Sequence, residues 1–126
     1  HQYTMLCASI TAQIAAEEGL KNGWKSVQAM KREYDRRRHF IVEALNEMGL
    51  DCHKPQGAFY VFPSIKRFKI KSMDFSKNLL MKHNVALVPG VAFGSSWDDH
   101  IRISYASSYE DLKEAVVRMK QYLKNL

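Results

Sequence analysis

The chain has 126 residues, 46% hydrophobic and 25% charged, with 19 lysines and arginines against 13 acids and a net charge of +6. That size and balance suit one globular domain with its own core. No apolar run approaches the roughly 20 residues a membrane span requires.

The two cysteines, Cys7 and Cys52, form no CxxC pair and no Cys/His cluster at metal spacing. A disulfide scaffold and a zinc module are therefore not expected, and both thiols read as reduced and partly buried. The first residues, His1-Gln2-Tyr3-Thr4, are polar and carry no secretory-signal pattern, so a cytoplasmic location is expected. The chain begins without methionine and reads as a piece of a longer protein.

In chain order, Ser9 or Thr11 can cap a first helix running to about Leu20. Its small residues Ala8, Ala12, Ala15, Ala16 and Gly19 favour close packing, and Asn22-Gly23 is a natural stop. A second helix is predicted over Lys25–Met48, with an apolar stripe at Val27, Met30, Tyr34, Ile41, Ala44, Leu45 and Met48. Arg37 interrupts that stripe, and Gly49 ends the helix. At 1.5 Å per residue such a helix is about 36 Å long, enough to reach toward another domain.

From Leu50 the period changes. Leu50–Lys54 reads as a short strand, Pro55-Gln56-Gly57 as a turn, and Ala58–Phe62 as an aromatic-rich strand closed by Pro63. Lys66–Lys71 is a basic loop. Ser72 is the predicted N-cap of a third helix that carries Phe75, Leu79 and Leu80 to His83-Asn84. Val85–Val88 reads as a buried strand, Pro89–Asp99 as a loop and Ile101–Ala106 as a strand. Ser107 and Glu110 have capping-box spacing for a last helix whose face is Leu112, Ala115, Val116, Met119, Tyr122, Leu123 and Leu126. The order predicts an α+β fold: a small antiparallel or mixed sheet covered by helices on one face, preceded by a long connecting helix.

Arg102 is the residue that stands out. In a strand, Ile101, Ile103 and Tyr105 share one face while Arg102, Ser104 and Ala106 share the other. A guanidinium in an apolar strand is costly without an anionic partner, and its planar fork matches a carboxylate through two parallel hydrogen bonds. On the residues alone, two readings stand. Arg102 pairs internally with Asp98, Asp99 or a C-terminal carboxylate, or it lines a polar cleft that takes an anionic ligand.

The run Pro89-Gly90, Phe93-Gly94 and Arg102-Ile103-Ser104-Tyr105-Ala106 resembles, in order and spacing, the C-terminal part of pyridoxal-phosphate aminotransferases. The group is fold-type I, class I/II, the aspartate aminotransferase superfamily. Gly57-Ala58-Phe59-Tyr60-Val61 is similar to that family's glycine-aromatic strand, and Tyr34 with Arg37-Arg38 to a Tyr-x-x-Arg-Arg pattern on its long connecting helix. The resemblance spans almost the whole chain. It implies that residues 1–24 are a helix from the large-domain and interface side and that 25–126 form the C-terminal small domain. Thr4 or Tyr3 would then approach the partner subunit's active site. Arg102 would grip the substrate α-carboxylate, Phe59 would line the same cavity, and Gly57 would let the backbone approach it. Pro89, Gly90 and Gly94 would shape the loop.

The implied reaction moves an amino group between an amino acid and a 2-oxo acid on pyridoxal 5'-phosphate, in a homodimeric enzyme. That chemistry needs a lysine to hold the cofactor. The family's Ser-x-x-Lys segment is missing here, since Ser64-Ile65-Lys66-Arg67 and Ser76-Lys77 lack the pattern that follows it. The chain is therefore expected to bind no cofactor and to be inactive alone. The competing reading is a basic α+β module binding nucleic acid or protein. It rests on Arg36-Arg37-Arg38, the Lys66–Lys71 cluster and the strand aromatics. Acids interleave with the arginines, so a solvated surface is the preferred account of the charge, with no nucleic-acid partner and no membrane partner.

Overall fold

The computed structural model describes Thr4 and residues 6–126. The chain divides into two compact units, the first ending at Glu33 and the second being Tyr34–Leu126. Tyr3 lies outside the described residues, and Thr4 is exposed in a turn.

The first unit holds helix α1, Ile10–Asn22, and the start of α2, Trp24–Glu47. Ser9 occupies the N-cap of α1 without a side-chain cap bond, and its hydroxyl instead meets Thr11 Oγ1 at 2.7 Å. Gly23 is not the left-handed stop expected of Asn-Gly. It stays right-handed and donates to the Gly19 carbonyl at 3.0 Å. No residue of α1 is buried. Val27 and Met30, predicted to face a core, are 42% and 53% exposed.

The second unit begins inside α2, where Ile41, Ala44 and Leu45 are buried. Its end is a complete left-handed glycine cap. Gly49 has φ +78°, its N–H reaches Asn46 O at 2.9 Å, and the N–H of Leu50 reaches Leu45 O at 3.0 Å. Leu50 and Leu45 are both fully buried, the apolar contact that usually accompanies this cap.

The remaining elements are β1 (Tyr60–Val61), α3 (Ser72–His83), β2 (Val88–Pro89), β3 (Ile101–Ser104) and α4 (Tyr109–Lys124). Short 3₁₀ turns lie at Lys66–Phe68, Gly90–Phe93 and Ser95–Trp97. The sheet is antiparallel, ordered β1-β3-β2, so the strand carrying Arg102 is central. The fold is α+β, as expected from the element order.

The strands are shorter than predicted. Leu50–Lys54 is reduced to one bridge, Asp51 to Ser64. Ala58 leaves the extended region at φ 60°, which delays β1 to Tyr60.

Two predicted caps move. Ser72 is the first residue of α3 and not its cap. Asp98 does the capping from across the fold, its Oδ1 accepting from Ser72 N at 3.1 Å. The cap of α4 is Ser108, one residue past Ser107, accepting from Asp111 N at 3.1 Å. The core joins Ile41, Leu45, Leu50, Val61, Ile65, Phe75, Leu79, Ile101, Tyr105, Leu112, Val116, Met119 and Tyr122. Each large apolar side chain so enclosed contributes about 1.5–3 kcal/mol relative to exposure. Leu80 and Leu126, predicted on the inner faces of α3 and α4, stay outside at 47% and 53% exposure.

Candidate functional site

Strand β3 divides its side chains between two faces. Ile101 and Tyr105 are buried and Ile103 half-buried on the core side, while Arg102 is half-buried and Ser104 exposed on the other. The register pairs Tyr60 with Ser104 and Val88 with Arg102. Residues on one face of an antiparallel pair meet their diagonal neighbours. Tyr60 therefore falls beside Arg102, with Arg102 Cζ over its ring, 4.5 Å from the centroid. The ring of Phe93, delivered by the Gly90–Phe93 turn, lies 5.0 Å from the same atom.

An aromatic wall continues from these rings. Phe62 meets Phe93 and Trp97 edge-on, at 5.7 and 5.4 Å between centroids, and stacks on His100 at 5.2 Å. Tyr60, Phe93 and Trp97 remain 37%, 46% and 45% exposed, so the Arg102 face is an open apolar surface around one cation.

Internal pairing of Arg102 is excluded among the described acids. Asp98 is taken by Lys71 Nζ at 3.0 Å and by Ser72 Oγ at 2.8 Å. Asp99 is taken by His100 Nδ1 at 2.6 Å. These partners hold both carboxyls below the usual carboxylate range: the hydrogen bond to Lys71 leads for Asp98, and that to His100 for Asp99. Among the described residues, no carboxylate lies within ion-pair distance of Arg102. The site can therefore offer an uncommitted guanidinium to an incoming anion.

The other residues singled out from the sequence sit nearby. The Phe59 ring stacks on Tyr34 at 6.1 Å and lies 4.6 Å from Tyr60, with 39% of the residue exposed. Gly57 faces open space, since a Cβ there would meet nothing within 4 Å. The sharp bend falls instead on Ala58, whose carbonyl accepts from the buried Tyr105 hydroxyl at 2.9 Å. Tyr60 and Phe93 were not assigned to the arginine from sequence. For Tyr60 the signal is shared strand parity with Arg102, readable only once the register is known; Phe93, in a turn outside the strands, has no such signal.

The arginine run of α2 is committed elsewhere. Arg36 lies over the Tyr109 ring at 4.0 Å. Arg37 donates to the carbonyls of Ala106 and Ser107 at 3.0 and 2.6 Å, which fastens α2 to the end of β3. Arg38 donates to Pro55 O at 2.8 Å and pairs with Asp35. This explains Arg37 on the apolar stripe of α2, and it removes the triple arginine that supported a nucleic-acid module.

Of the two thiols, Cys7 is exposed, contrary to expectation, and Cys52 is buried; both are free. Every lysine is exposed, so no buried lysine stands ready to anchor a carbonyl cofactor. The residues present fit a carboxylate at Arg102 and do not by themselves fit pyridoxal phosphate. Among the described residues, no helix is long and apolar enough to cross a membrane.

Residues 3–119 match the model of the family described as aminotransferase class I and II. A Bacillus subtilis (strain 168) protein assigned to the aminotransferases, YugH, is 56% identical over 98% of this chain and 32% of its own. The aspartate aminotransferase of Pyrococcus abyssi is 47% identical over 97% of this chain and 32% of its own. A solved structure, Pyrococcus protein-A1, superposes with a TM-score of 0.92 at 46% identity, covering 98% of this chain and 32% of that one. The chain thus spans about a third of the length of the relatives it matches. It belongs to the class I and II aminotransferases.

Proposed function

We propose that this chain is the small domain of a pyridoxal-phosphate-dependent aminotransferase, with residues 25–126 forming that domain and 1–24 belonging to the large-domain and interface side. In the complete enzyme, an amino group passes between an amino acid and a 2-oxo acid. Arg102 grips the α-carboxylate common to both substrates, Phe59 lines the cavity beside it, and Gly57 leaves room for the backbone to approach. The observation that carries the reading is the half-buried guanidinium at the centre of the sheet with no internal acid partner among the described residues. Pyridoxal 5'-phosphate, when bound, supplies the electron sink for the α-carbon. Its anchoring lysine belongs to the part of the enzyme outside this chain, so the chain alone is inactive. The intact protein is a cytoplasmic homodimer in this reading.

The test is transamination by the complete enzyme and its Arg102→Lys variant. Lysine keeps the charge but loses the two-pronged match. Loss of one charge-assisted hydrogen bond, about 1.5–3 kcal/mol, raises KM for amino acid and 2-oxo acid alike by about 10- to 150-fold. Equal KM values for the two proteins, or turnover by this chain on its own, overturn the proposal.

A further inference from the structure

The Arg102 face contains a second layer of organisation that carboxylate recognition alone does not require. A lone arginine on an open sheet face has a long, mobile stem, and ordering it on binding costs conformational entropy. An internal aspartate would order it, but would also occupy the two-pronged donor set that the ligand needs. Aromatic rings avoid that conflict, because a ring attracts the cation without engaging a bidentate pair of N–H groups. Here two rings, Tyr60 at 4.5 Å and Phe93 at 5.0 Å, flank Arg102 Cζ.

Tyr60 is fixed by strand pairing, since it lies in β1 opposite Ser104. Phe93 lies outside the sheet and needs another support. That support is built on a fully buried hydroxyl. Ser72 Oγ donates to Asp98 Oδ1 at 2.8 Å and accepts from the N–H of Val91 at 3.1 Å, in the turn that carries Phe93. Asp98 Oδ1 also accepts from Ser72 N, and its other oxygen meets Lys71 at 3.0 Å. The Gly90 N–H reaches His100 O at 2.8 Å and closes the turn onto the start of β3. Ser72, the first residue of α3, thus links the first turn of that helix to the loop beside the arginine.

We propose that Tyr60 and Phe93 are positioning residues that preorganise Arg102 for a carboxylate, and that the Asp98–Ser72–Val91 hydrogen-bond chain holds Phe93 in place. This rests on the reading of Arg102 as the carboxylate grip. Loss of either ring leaves the charge in place but lets the guanidinium wander, so the penalty falls on ligand affinity.

The experiment uses the complete enzyme with Phe93→Leu, Phe93→Tyr, Asp98→Asn and Arg102→Lys. It measures KM and kcat for the amino acid, and the inhibition constant of propionate, a carboxylate without an amino group. Phe93→Leu and Asp98→Asn are expected to raise KM and the propionate constant together by about three- to tenfold, with the change on KM and not on kcat. Phe93→Tyr keeps a ring face and restores wild-type values. A purely structural role would instead lower the thermal midpoint and leave propionate affinity untouched, which overturns the proposal. If Arg102→Lys weakens propionate but Phe93→Leu does not, the positioning claim fails and the grip stands. If Arg102→Lys changes neither quantity, the grip itself fails, and this proposal with it.

Discussion

Replacing Gly90 with alanine tests the loop on which the arginine face depends. Gly90 is buried, and its backbone angles are ones any residue adopts, so the issue is space. A Cβ there would lie 2.5 Å from the carbonyl oxygen of His100 and 2.9 Å from its carbon, with the Trp97 oxygen closer still. All of these are backbone atoms and cannot swing aside as a side-chain tip would. Ordinary contact needs about 3.5 Å, so the Pro89–His100 loop must open by roughly an ångström. Opening it weakens the hydrogen bonds from Gly90 N to His100 O, 2.8 Å, and from His100 N to Trp97 O, 3.0 Å. At about 1 kcal/mol net for each bond, and about 1–3 kcal/mol for overpacking, the cost is about 3–5 kcal/mol. That is a large share of the roughly 5–15 kcal/mol of a typical domain. Urea unfolding followed by circular dichroism should show the midpoint fall with the slope unchanged. Gly57→Ala is the control: with open space around it, its effect should stay within about 0.5 kcal/mol. A Gly90→Ala cost below about 1 kcal/mol, or a Gly57→Ala cost as large as that of Gly90→Ala, would refute the steric argument.

Two further outcomes follow from the ionisable groups. Lys71 and Ser72 hold the Asp98 carboxyl below the usual range, so folding favours its charged form. Its contribution is therefore complete above the unfolded value near pH 4 (roughly) and is lost as pH falls through the lower folded value. The stability gap between wild type and Asp98→Asn should narrow on acidification below about pH 4, and parallel stability–pH curves would contradict it. Burial, followed by the Asp51 charge, pushes the Cys52 thiol from 9.0 up to about 11. Its thiolate fraction near pH 8 is then about a hundredfold below that of an unshifted thiol, and a disulfide reagent should modify Cys7 first and Cys52 only on unfolding. Equal rates for the two thiols would count against the buried assignment.

Much of the local structure was legible because it is written in short-range periodicity. The stripe Leu112, Val116, Met119 and Tyr122 fixes α4, and Gly49 fixes the end of α2. The alternation Ile101, Arg102, Ile103 assigns β3 its two faces before any partner strand is known. The order Pro89-Gly90, Phe93-Gly94, Arg102 sufficed for the family resemblance, since chain order carries through to the fold.

What chain order could not supply was pairing across distance. Ser72 has the local chemistry of a helix cap, yet Asp98, 26 residues away, takes that role and turns the hydroxyl toward Val91. Arg37 reads as a flaw in an apolar stripe until the carbonyls of Ala106 and Ser107 arrive to receive it. Tyr60 and Phe93 carry no mark that sends them to Arg102. One is delivered by the antiparallel register and the other by a loop closed through Gly90. The kinds of element, their order and the face on which the guanidinium emerges can be read from the bare chain, because they depend on neighbours within a few residues. Which rings surround it and which acids leave it alone cannot be read that way, because those choices are made by groups that meet once distant segments are packed together.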